Sequence, residues 1–418
     1  DAAAGRTVRR FASVEEMGGS QCKPQMSRMT EETSTGASKG APGSPPSGSS
    51  STPARRLSGA EVGLDAASEG GAKNSRLRDR MNKSAPGLTI SAKKESANPK
   101  QKLRTISRMT EAAFAKRYEL GDQVMESCHS GMSIRHAKRL KDGEPVVIKI
   151  REKAKSFRKS SGNEEGEWRG TMEMQLNMPQ SEVICELMEV IETDKNYYVA
   201  MEKVDGQDLF ETMMQENIRH VDAREIVKQI LLALDILHSA GRIHKDLKLE
   251  NVMVDMDSPK VRASGSVISE GSVVSLKSAD SIASPVSAKL IDFDTVENWE
   301  PSSPKSKDVL GTDGYIAPEA YLGIYSPASD MYCVGVIMYK LLTKRFPSRK
   351  DMFDDKPGEN YVGSPAMKRI YNRLKVTPMD FSRSPLDKCP VAAALLKALL
   401  AFDGSQRPTA SQALAHKW

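Results

Sequence analysis

His244-Lys245-Asp246-Leu247-Lys248-Leu249-Glu250-Asn251 is the stretch on which the reading of this chain turns. An acid, a lysine two residues on and an asparagine three beyond that put three kinds of polar group into one short loop. The acid can orient a hydroxyl and accept its proton. The lysine can offset charge on a phosphoryl group in transit, and the amide oxygen can hold a hard divalent cation. Alone, the octet also reads as a charged surface turn after a helix. The segments around it decide.

The chain has 418 residues and only 39% hydrophobic content, low for a chain folded throughout. Its net charge of +6 is uneven: residues 1–110 hold 19 Lys+Arg against 10 Asp+Glu, a balance of +9 that leaves the rest at −3. Residues 1–112 contain one aromatic, Phe11, and are rich in Ser, Gly, Pro and Ala. Such a segment buries too little apolar surface to offset chain entropy, so a disordered basic tail is expected. It lacks the interleaved aromatics that stack on bases, which argues against direct nucleic-acid binding. Within it, Ser27-Arg28-Met29-Thr30-Glu31 recurs as Ser107-Arg108-Met109-Thr110-Glu111, by chance or as a duplicated docking peptide. Arginines also stand just upstream of Ser13 and Ser58, either as a solvated basic linker or as sites for basophilic kinases. Five scattered cysteines without a Cys-x-x-Cys pair point to a reducing, cytoplasmic setting, with the nucleus as alternative. No apolar run is long enough to span a bilayer.

From about Ala113 the pattern becomes periodic. Pro145–Ile150 and Tyr197–Met201 read as strands. Ile226, Ile230, Ala233, Leu234 and Leu237 form a helical stripe that runs into the opening octet, with Gly241 as its stop. Val252–Val254 and Lys289–Ile291 read as short strands separated by a Ser-rich inserted loop at about 257–287.

Asp292-Phe293-Asp294 follows the second of these strands, and Gly311-Thr312-Asp313-Gly314-Tyr315-Ile316-Ala317-Pro318-Glu319 comes next. With the octet, these runs resemble the signature motifs of eukaryotic protein kinases. Tyr118-Glu119-Leu120-Gly121 and the ending Gln412–Trp418 look most like the calcium/calmodulin-dependent and calcium-dependent group. The resemblance covers about Ala113–Trp418. It implies an α+β, bilobal protein kinase fold: a small β-rich N-lobe (113–204) and a larger, mainly helical C-lobe (205–418). The implied activity is transfer of the γ-phosphoryl group of ATP, with Mg2+, to Ser/Thr hydroxyls of protein substrates. Asp246-Leu247-Lys248 and Thr312 favour those hydroxyls over tyrosine.

The resemblance also assigns roles. Asp246 would be the base and Lys248 would stabilise the moving charge. Asn251 and Asp292 would bind metal, and Lys149 would hold the nucleotide phosphates. Glu173 is taken as the helix partner of Lys149, which assumes a one-residue deletion in the next loop. An ungapped count lands on Met172 instead, and Glu167 is the other acid in range. Ile134 would cover the nucleotide, Met201 would stand beside the adenine, and Glu202 and Val204 would offer it backbone groups. Asp208 would reach the ribose or a substrate arginine, and Glu250 a basic substrate, unless both are solvated acids at a cleft rim. His244 and Phe293 would pack as supports. Glu319 would pair with Arg407, and Asp330 would brace the catalytic loop.

Three departures favour an alternative, a pseudokinase or scaffold with little turnover. Ser127, His129 and Met132 occupy the three glycine positions of the phosphate-covering loop, with only Gly131 nearby. Asp294 replaces a glycine, which is expected to bias that segment toward one state. Lys245 replaces an arginine, so a phosphate at Ser302, Ser303 or Ser306 would be held by a weaker, single-point contact. No EF-hand loop occurs, so a calcium-binding regulator would not be encoded in this sequence.

Overall fold

In Pro145–Glu152 successive side chains point to opposite faces, so Val146 and Ile148 share one side while Val147 and Lys149 share the other. The computed structural model, which describes Cys22–Lys23 and residues 103–125, 131–157, 164–257 and 285–418, uses both sides. Val146 and Ile148 are fully buried with Phe114, Tyr118 and Tyr198. The strand lies inside a six-stranded sheet in the order Ser107–Arg108, Leu187–Glu192, Asn196–Glu202, Pro145–Glu152, Met132–Arg139, Tyr118–Met125. Every neighbouring pair is antiparallel except the first, which is parallel. The helix Glu164–Leu176 packs Met172 and Leu176 against Leu187, Val190 and Val199.

The second copy of the five-residue repeat is structural. Ser107 Oγ donates to Val190 O, Thr110 caps the helix Glu111–Ala115, and Glu111 accepts from Thr193 and Tyr198. The packed chain therefore begins ahead of the division expected near Ala112. Within the tail, Cys22–Lys23 forms a two-residue strand antiparallel to Gly311–Thr312. The rest of the tail, with Ser13, Ser58 and the first repeat, lies outside the described residues, as do Ser127 and His129. The insert is described only at its ends: Ser287, expected inside it, already belongs to the strand Ser287–Leu290.

The helical lobe is organised around His220–Ser239 and Pro327–Thr343. The first buries the stripe expected of it, Ile226 through Leu237, and starts at His220, where the Arg219 N–H donates to Asp222. Pro327–Thr343 is buried almost all round, as a central helix must be. Each fully buried Leu or Ile in this core contributes roughly 1.5–3 kcal/mol. Val252–Asp255 pairs antiparallel with Ser287–Leu290, and the Ile291 N–H donates to Asn251 O at 2.9 Å. That ladder sets the end of the octet beside Asp292.

Candidate active site

The octet is held from below by one carboxylate. Asp330, fully buried in the first turn of its helix, accepts the N–H of His244 at 2.9 Å, the N–H of Lys245 at 3.0 Å and His238 Nε2 at 2.9 Å. Burial alone would raise its pKa; the His238 contact and the backbone N–H groups outweigh that and hold it below the usual carboxylate range. Lys245 is driven to a φ of 72°, which turns the chain so that Asp246 faces the cleft.

Asp246 stands at the centre of a small network. Its Oδ1 accepts from Thr312 Oγ1 at 2.8 Å, and Lys248 Nζ lies 3.0 Å from its Oδ2 and 3.1 Å from Thr312 Oγ1. The Asn251 side-chain N–H donates to Asp246 O at 2.8 Å, which leaves the amide oxygen of Asn251 for another partner. Thr312 is the contribution that sequence reasoning undervalued: beyond a specificity signal, it is a direct partner of Asp246. Thr312 is itself fixed by Gly311, whose φ of 114° and 3.2 Å Cβ-position clearance from Lys245 O demand glycine.

Across the cleft, Lys149 is 7% exposed, with Nζ 2.8 Å from Asp292 Oδ1 and 2.8 Å from Asp294 Oδ2. Burial disfavours its charge, but the two carboxylates more than compensate and raise its pKa. Asp292 shifts the opposite way, lowered by Lys149 against the effect of burial. Its φ of 58° is left-handed, which Asp tolerates better than most residues. Asp294 is not among the described non-glycine residues with positive φ, so that position carries no glycine-demanding backbone. Phe293 packs on His244 with ring centroids 5.5 Å apart, as expected of the two supports.

The helix partner expected of Lys149 is not there. Glu173 accepts from Ile106 N at 3.5 Å, and Glu167 is exposed. The ungapped count was the right register: Met172 occupies the buried position, packed on Val199, which pairs with Lys149 across the sheet. No deletion is needed. The signal was present in the sequence as a count that missed every acid.

Ile134 pairs directly with Lys149, so its side chain shares the cleft face of the sheet. Met201 is the penultimate residue of the strand Asn196–Glu202. Glu202 is engaged: its N–H donates to Glu186 O, and its carboxylate takes Lys289 at 2.7 Å. Val204 N–H and C=O make no hydrogen bond among the described residues, which suits them to an adenine edge. Asp208 caps the helix Leu209–Gln215 by accepting from Glu211 N at 2.9 Å, a structural duty the sequence reading did not give it. Glu250 is half-buried with Oε2 lacking a hydrogen-bond partner among the described residues, and burial raises its pKa.

Lys245 also differs from expectation. Its ammonium is 2.8 Å from Glu297 and lies over the Tyr325 ring, so a carboxylate already stands where a phosphate was anticipated. The Glu319–Arg407 pair forms as expected, bidentate at 2.7 and 2.8 Å.

The donor set fits a nucleotide–metal pair. The free Asn251 amide oxygen and the 41%-exposed Asp292 carboxylate are hard oxygen ligands of the kind that hold a divalent ion together with phosphates. Among the described residues no group of three or more His, Cys, Asp or Glu forms an all-protein metal cage.

Comparison with known proteins agrees with this geometry. A family model described as protein kinase domain matches residues 130–418. The chain is 26% identical over 319 residues to the hormonally up-regulated neu tumor-associated kinase homolog of Xenopus tropicalis, covering 74% of this chain and 36% of that protein. It is 31% identical over 238 residues to calcium/calmodulin-dependent protein kinase type IV of Mus musculus, covering 56% of this chain and 42% of that one. It thus spans little more than a third of the length of the first of these relatives.

Proposed function

Because the chain belongs to the protein kinase family, whose members use ATP and a divalent metal ion to phosphorylate proteins, we propose that it is an active kinase of the serine/threonine type. The observation that carries this reading is the Asp246–Thr312–Lys248 network, with bonds of 2.8 to 3.1 Å around the base. A Ser or Thr hydroxyl has a short reach, and Asp246 Oδ2 with Lys248 Nζ marks where it would meet the phosphoryl group. Asp246 accepts the hydroxyl proton, and Lys248 offsets charge on the transferring group. Lys149 holds phosphate oxygens, Val204 meets the base, and Ile134 covers the nucleotide. Asn251 and Asp292 would hold Mg2+, which neutralises charge between the phosphates when bound. A cytoplasmic setting suits the scattered cysteines, of which Cys185, Cys333 and Cys389 are free.

The non-catalytic alternative loses one of its motives, since Asp294 sits in ordinary backbone and is paired to Lys149. The test is incorporation of radiolabelled phosphate from ATP with Mg2+ into a mixed-sequence peptide library, followed by phosphoamino-acid analysis. Phosphoserine and phosphothreonine are expected from the native chain and not from Asp246→Ala. Equal incorporation by both proteins would defeat the proposal.

A further inference from the structure

We propose that Asp294 is the positioning residue for Lys149, taking the place of a carboxylate that the helix Glu164–Leu176 does not supply. The inference rests on the kinase reading of the cleft and specifies how the nucleotide-binding lysine is held.

The helix has four acids, and each is committed or turned away. Glu165 accepts from Tyr197 OH, and Glu173 accepts from Ile106 N. Glu167 is exposed, and Glu164 lies in the field of Arg151. Its buried residues are Met172, Gln175 and Leu176. Met172 belongs to the apolar cluster around Val199, the residue opposite Lys149 in the sheet, so the helix meets the lysine's side of the sheet with a thioether. Gln175 uses its amide to donate to Phe293 O. The helix therefore steadies the Asp292-Phe293-Asp294 segment and leaves the ammonium to it.

That segment alternates. Phe293 turns to His244, while Asp292 and Asp294 both reach Lys149. Two carboxylates are needed because Asp292 has a second duty toward the metal ion. With Asp292 alone, a buried ammonium would collapse onto it and compete with the cation. Asp294 offers a separate anchor at 2.8 Å, 30% exposed at the cleft, so that Asp292 keeps an oxygen free. Replacing the family's glycine is tolerated because the backbone there does not adopt positive φ. The lysine's geometry then follows the segment that carries both acids rather than the position of the helix.

The experiment compares Asp294→Asn and Asp294→Glu with the native chain, reading ATP KM and kcat on one peptide together with the ADP dissociation constant by calorimetry. Melting temperatures certify that each variant is folded. Asp294→Asn, which removes only the charge, is expected to raise ATP KM and the ADP dissociation constant at least about ten-fold. Asp294→Glu, which returns a carboxylate, is expected to recover most of that loss. An Asp294→Asn protein that binds ADP as tightly as the native chain or tighter would overturn the proposal. So would an Asp294→Glu protein as impaired as Asp294→Asn. A native chain that binds ADP without turning over ATP would remove the transfer reading, and the ADP constants would still decide this one. A native chain that binds no nucleotide would overturn both.

Discussion

In the large lobe, the groups around Asp246 come from one run of eight residues and one threonine of the activation segment, braced by Asp330 from below. In the small lobe, Lys149 takes both its partners from residues 143 and 145 positions further on, and the helix packed beside it contributes none. The lower half of the cleft brings together the side chains that the short motifs carry. The upper half reaches a comparable charge balance by another route. A short loop tied by backbone bonds brings its polar groups together through local spacing. A single buried ammonium needs only a nearby carboxylate, and the fold offers more than one place to put it.

The sharpest way to separate the halves is to remove the proposed base. Asp246→Ala is expected to lower kcat by about 10²–10⁴-fold while leaving the ADP dissociation constant near the native value. Steady-state kinetics with calorimetry checks this; a loss of binding as large as the loss of rate would show that the halves are not independent.

Next comes the foundation of the lower half. The guanidinium of Arg407 is fully buried against Glu319. Arg407→Ala leaves that partly buried acid without its bidentate partner and is expected to cost about 3–5 kcal/mol in urea denaturation. A cost under about 1 kcal/mol would make the pair ornamental.

Asp330 sharpens the same point through pH. Asp330→Asn is expected to cost about 1.5–3 kcal/mol at neutral pH, since charged acceptors of backbone N–H groups are lost. Because its folded pKa lies below its unfolded value of about 3.9, its contribution is complete above that value and fades as pH falls through the folded one. The gap between native and variant stabilities should therefore close in acid. A gap that widens there would contradict the account.

The smallest expected effect concerns Lys245. With Glu297 already in contact, joint replacement of Ser302, Ser303 and Ser306 by Ala should leave turnover within about two-fold of native, while Glu297→Gln should lower it several-fold. The reverse order in a peptide assay would restore a phosphate to that position.

The sequence carried the lower half because its chemistry sits at fixed short spacing: Asp246, Lys248 and Asn251 need only local backbone to converge. It carried the bilobal fold through the period of Pro145–Ile150 and of the stripe from Ile226 to Leu237. What escaped was the identity of partners across long separations. The need for an acid points to Glu173, yet the pairing of Lys149 with Val199 fixes the helix at Met172. At Asp294 the motif alone suggests a backbone liability, since composition cannot reveal that its φ is ordinary and its carboxylate meets an ammonium. Glu297 likewise meets Lys245 from 52 positions away, which no spacing rule names.

The central claim is that Asp246, Lys149, Asn251 and Asp292 converge on one nucleotide and its metal ion. Anomalous diffraction from crystals grown with Mn2+ and a non-hydrolysable ATP analogue tests it most directly. The account expects manganese bound by Asp292 and the Asn251 amide oxygen, with the analogue's phosphates on Lys149. Manganese at any other carboxylates, or a cleft without the analogue, would contradict it.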